Sequence, residues 1–201
     1  MKRLLIYDAS ANAAKTFVGK AWKTWAGAMA SRFDDTLAVT SWADCMEKLK
    51  ALQAAGKKYD ACQFWGHGWG GQIYIDKYKT TSSAGEPGTP DSFWEQLGLL
   101  MKPTGVVWLR ICSFASGATG KAACDLVSQQ LGCRLLAHTH IIGDLASQSG
   151  CRATHWPDMK ASWPDSEGRK GGVDGAKKSA PWLPNTVSAL QISEPSWPTN
   201  K

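Results

Sequence analysis

Apolar positions along the chain follow two rhythms, and the switches between them mark out strands and helices in alternation. Leu4-Leu5-Ile6, within residues 3–8, is an unbroken apolar run that predicts a buried first strand. Ala14, Phe17, Val18, Ala21, Trp25, Ala28 and Met29 then recur at three-to-four spacing and predict a helix, with Ser10 as a possible cap. Thr36–Thr40 reads as a second short strand. Ser41 followed three residues later by Asp44 makes a capping-box start, and Trp42, Cys45, Leu49 and Leu52 share one face of the helix that Gly56 stops. Asp60–Trp65 predicts a third strand that runs directly into Gly66-His67-Gly68, with Ile73-Tyr74-Ile75 as a short hairpin strand after it.

Residues 79–90, rich in Thr, Ser, Gly and Pro, read as a surface loop and an exposed nick site. Thr89-Pro90 opens a helix closed by Lys102-Pro103, and Val106–Ile111 is an apolar strand that delivers Cys112-Ser113. A helix starting near Thr119 and ended by Gly132 leads to a last strand, Arg134–His138. Strands separated by helices imply right-handed crossovers and a mostly parallel sheet with helices on both faces. The pattern fades after about residue 145. This predicts an α/β domain over 1–145 and an irregular extension over 146–201 packed on it. The extension holds four Trp-Pro or Trp-Leu-Pro segments and a Gly/Lys-rich span at 168–180, a second candidate nick site; it could also hold a protein partner.

Composition narrows the class. At 43% hydrophobic and 20% charged, the chain resembles a soluble globular protein. The formal charge of +6 is spread over solvated helix faces, and no basic stripe with interleaved aromatics marks a nucleic-acid surface. No stretch has the length of a membrane span, and the first apolar run is too short for a signal peptide. The expectation is a cytoplasmic protein whose six cysteines (45, 62, 112, 124, 133, 151) are thiols. Eleven tryptophans mean either an aromatic core or rings used for binding.

In a parallel sheet ligands bind beyond the carboxyl ends of the strands, and both His67 and Cys112 fall there. A thiolate is the competent nucleophile and an imidazole nearby can produce it. Glycines on either side of His67 permit close approach of a ligand and leave amides for an oxyanion. The expected chemistry is acyl transfer. Cys112 is the nucleophile, His67 the proton carrier, and the amides of Gly68 and Cys112 the oxyanion donors. No cofactor is required.

A strand ending in His67-Gly68 and a second strand ending in Cys112, 45 residues later, resemble the caspase-fold cysteine peptidases. That group includes caspases, gingipains, clostripain and separase. The likeness is closer to bacterial caspase-like domains, through Trp65–Gly71, Arg110–Gly117 with Gly120, and Gly132–Thr139. The resemblance implies a three-layer caspase-like α/β fold and a Cys–His endopeptidase acting on a polypeptide. Arg110-Ile111-Cys112-Ser113-Phe114 replaces the caspase Gln-Ala-Cys-x-Gly sequence, so aspartate specificity does not carry over. Asp144, past the last strand, is a candidate receptor for a basic side chain of the substrate.

Three rival readings compete with this one. A shell that no longer cleaves would hold a protein partner through its tryptophans and basic tail. Cys133, His138, His140, Cys151 and His155 place five donors within 23 residues, though in the spacing of no defined zinc module. The glycine-rich run Gly66–Gly71 follows a strand as a phosphate loop does, but lacks a Gly-Lys-Ser/Thr or dinucleotide fingerprint.

Overall fold

A computed structural model of the chain describes residues 1–11, 26–27, 30–76, 90–138 and 151–154. The helix expected over 14–29 (apart from Ala26 and Gly27), the 79–90 loop up to residue 89, Asp144, His140, His155 and nearly all of the 146–201 extension lie outside them. The strands are β1 (Arg3–Asp8), β2 (Asp35–Val39), β3 (Tyr59–Trp65), β4 (His67–Trp69), β5 (Gln72–Tyr74), β6 (Met101–Arg110), β7 (Arg134–His138) and β8 (Cys151–Thr154). The α-helices are α1 (Trp42–Ala54), α2 (Asp91–Gly98) and α3 (Gly117–Leu131). Among the described residues no helix is long and apolar enough to cross a membrane.

Six strands form one sheet in the order β2-β1-β3-β6-β7-β8, parallel throughout except for the antiparallel pair β7–β8. The α/β class and mostly parallel sheet expected from the alternating pattern are therefore present. Chain order reverses at β1: the step to β2 goes one way, and β3, β6 and β7 follow in the other. That reversal makes the crevice beyond the carboxyl ends of β1 and β3 the switch point where open α/β sheets bind ligands.

Register shows where the core lies. Leu4, Cys62, Val107 and Leu135 lie side by side, as do Ile6, Phe64, Leu109 and Ala137. This face packs on Cys45 and Leu49 of α1, Phe93 and Leu97 of α2, and Cys124, Val127 and Leu131 of α3. α1, α2 and α3 thus lie on one face. The other face is buried too, with Leu5, Trp65, Trp108 and Leu136 set among Gln63, Arg110 and His138. Burial on both faces explains why β1 and the second half of β6 read as continuous apolar runs rather than alternating ones.

Several boundaries follow their local signals. Ser41 Oγ accepts from Asp44 N at 3.1 Å, and Asp44 reaches back to Thr40 N at 2.9 Å. Ser41→Ala is expected to cost about 1 kcal/mol, read as a lower denaturant midpoint at unchanged slope. Gly132 ends α3 in the left-handed region, φ +63, where its amide donates to Ser128 O and Gln129 O. Two expectations need correction. The helix before β6 ends at Gly98, and Lys102-Pro103 belongs to β6, in a register shift that pairs Tyr59 with Met101 but Ala61 with Val106. Pro103 is tolerated because the irregular stretch leaves no ladder bond for it to donate. α3 begins at Gly117 rather than near Thr119.

Candidate active site

β3 and β6 are neighbours, with Trp65 opposite Arg110. β3 and β6 end together at this pair, and His67 and Cys112 each follow two residues later in the chain.

The third strand does not run on into His67 as expected. The chain turns at Gly66, where a Cβ would come within 2.8 Å of the Phe64 ring, and starts a separate two-stranded sheet, β4–β5. His67 pairs with Tyr74, Gly68 with Ile73 and Trp69 with Gln72. The connecting Gly70 and Gly71 both have positive φ, +53 and +86, as a two-residue type I′ turn demands.

This hairpin lies directly on the cysteine turn. Gly70 N donates to Ser113 O at 3.1 Å and Gly71 N to Phe114 O at 2.8 Å. A Cβ on Gly68 would stand 2.3 Å from both Ile111 Cγ2 and the Gln72 carbonyl oxygen; one on Gly71 would stand 2.4 Å from Ala123 Cβ. Close approach is thus required by the protein's own packing, whereas the sequence suggested a ligand as the reason for these glycines.

Cys112 opens a turn gripped from three sides. Besides the hairpin, β7 holds it through Ala115 N to His138 O at 2.9 Å. From α3, Gly120 fits so closely that a Cβ would meet Phe114 O at 2.5 Å. Ser113, next to the thiol, is buried with φ +49, a left-handed conformation costing a non-glycine residue about 1–2 kcal/mol. Cys112 is half-buried, while Cys45, Cys62, Cys124 and Cys133 are fully buried. Burial pushes the Cys45 and Cys133 thiols up to about 12 and the Cys62 thiol well above its ordinary value. Those three are protonated core residues at neutral pH. His67 is half-buried, with its Nε2 inside.

Two residues near the site were not singled out by the sequence. Trp69, 58% exposed, falls two residues from His67 and therefore on the same side of the hairpin. Asp8, at the carboxyl end of β1, is only 1% exposed; its Oδ1 accepts from Ser10 N at 2.9 Å and its Oδ2 from Asp76 N at 3.3 Å. The one sequence signal was a carboxylate closing an apolar run.

Of the rival metal donors, His138 is paired opposite Cys151 across β7 and β8, whereas His140 and His155 lie outside the described residues. Cys133 immediately precedes β7 and His138 closes it, about 16 Å apart along an extended chain, too far to share an ion. His138 is buried and its Nε2 accepts from Trp108 Nε1 at 3.2 Å. Among the described residues no three His, Cys, Asp or Glu side chains gather as a metal site. On the same face Arg110 lies 5.0 Å above Trp108 and 5.9 Å from Trp65, a cation held by two indoles. No family model matches the chain, and no curated protein sequence matches it.

Proposed function

We propose that the chain is a cysteine endopeptidase of caspase-like, three-layer architecture, working through a Cys112–His67 dyad and an acyl-enzyme intermediate. The observation that carries this reading is the equal step of His67 and Cys112 beyond the paired Trp65 and Arg110, with the histidine's hairpin hydrogen-bonded onto the cysteine's turn. The sulfur of Cys112 attacks the scissile carbonyl as His67 takes the thiol proton. The C–N bond then breaks with that proton passing to the departing amine, and water releases the acyl group. In a ladder closed by a two-residue turn, Gly68–Ile73 falls at a non-hydrogen-bonded position, which leaves the Gly68 amide to join that of Cys112 at the oxyanion. Trp69 offers an apolar wall for a substrate side chain. The site needs no cofactor, and a polypeptide in the cytoplasm is the substrate it suits.

Incubation with a diverse peptide mixture, followed by mass spectrometry of the products, tests this. Bonds cut by the wild type and left intact by Cys112→Ala and His67→Ala are the expected result. Intact peptides throughout, with a subset retained equally by wild type and Cys112→Ala, would replace the enzyme with the binding module.

A further inference from the structure

We infer that Asp8 is a positioning residue that fixes His67 by tethering the open end of the β4–β5 hairpin to the end of β1. The inference rests on the dyad reading. It starts from how the hairpin is anchored. Its tip is tied to the cysteine turn through Gly70 N and Gly71 N. His67 lies at the other end, opposite Tyr74, and two residues past Tyr74 the amide of Asp76 donates to Asp8 Oδ2 at 3.3 Å. Asp76 has φ +63, a conformation a non-glycine residue keeps only when its surroundings hold it. Asp8 supplies part of that hold, and Ser10 N fixes its other oxygen at 2.9 Å. One carboxylate thereby joins β1 and the hairpin across the switch-point crevice, 68 residues apart in sequence.

The carboxyl of Asp8 is buried as well as hydrogen-bonded. Burial raises its pKa above the ordinary 3.8, against the lowering by its hydrogen bonds with Ser10 and Asp76, while the Asp76 carboxylate pushes it up further. A folded-state pKa above the unfolded one means that the folded protein binds the extra proton. The associated stability is present at low pH and lost as pH rises from about 3.8 through the raised value. At neutral pH the ionised Asp8 is therefore less favourable to the fold than its protonated form would be.

The test is the pH dependence of Cys112 alkylation by iodoacetamide, which reports the thiolate without needing a substrate. The wild type is expected to titrate well below the ordinary thiol value of about 8.5. Asp8→Asn keeps the shape but can accept only one of the two amides. Its titration should move up by about one pH unit, with alkylation about tenfold slower at pH values well below the wild-type midpoint, while the thermal midpoint is held or raised. Asp76→Gly, which keeps the amide and removes the carboxylate, should retain the wild-type profile. A lowered midpoint with an unchanged profile in Asp8→Asn would reduce Asp8 to a structural residue and overturn the inference. An ordinary wild-type profile would overturn the dyad and the inference together. If Asp8→Asn does not fold, amide exchange of wild-type Asp76 decides. Protection supports the tether, and exchange at the rate of an unstructured amide overturns it.

Discussion

Cys112→Ala is expected to reduce peptide hydrolysis by at least about 10⁴-fold, with melting temperature and secondary structure unchanged. Removing the nucleophile of a Ser or Cys catalytic set typically costs this much or more, because the partner histidine has nothing left to activate. Alanine is tolerated because Cys112 is half-buried at the start of a turn that backbone bonds of Ser113, Phe114 and Ala115 hold. His67→Ala should bring a similar loss, and the double variant should be scarcely worse than either single one, as residues acting as one unit are not additive. The four buried cysteines cannot substitute, having neither access nor, for the three thiols pushed up by burial, thiolate at neutral pH. Independent, multiplying losses from the two single variants would show that Cys112 and His67 do not work together.

The second large effect is steric. Gly68→Ala is expected to destabilise the protein by about 3 kcal/mol, lowering the melting temperature by roughly 6–12 °C for a chain of this size. The new methyl would meet a backbone carbonyl, Gln72 O, and Ile111 Cγ2, each at 2.3 Å. The carbonyl cannot move without opening the hairpin, and Ile111 cannot move without shifting the residue before Cys112. Activity should therefore fall with stability. Gly70→Ala is the control: nothing lies within 4 Å of its Cβ position, and its φ of +53 costs about 1 kcal/mol alone. Equal melting temperatures for the two variants would mean that the hairpin does not pack on the cysteine strand as described.

Legibility in the sequence followed the range of the forces involved. Arg134–His138 was readable to the residue because Gly132 stops the preceding helix and five buried side chains follow. Ser41 with Asp44 was readable because capping is settled within four residues. The ends of β3 and β6, just before His67 and Cys112, were readable because a strand pattern closes at each. The start of β6 was not, since Pro103 is an ordinary stop signal and only its pairing partner across the sheet, Tyr59, draws Met101 into the ladder. The turn at Gly66 was missed for a similar reason. A strand followed by glycines can run on or fold over, and contacts with Ile111 and Ala123 decide which. Asp8 was furthest from view, because its second partner is the backbone of a residue 68 positions away. A local pattern shows where a carboxylate sits but not what it holds.

The most direct measurement is intact-mass labelling with peptide acyloxymethyl ketones carrying Asp, Arg, Lys or Leu next to the warhead, on wild type, Cys112→Ala and His67→Ala. A single adduct on the wild type, absent from both variants, is the expected result, and the peptide that gives it names the specificity. No adduct from any probe, with iodoacetamide reacting no faster at Cys112 than at the other thiols, would contradict the dyad.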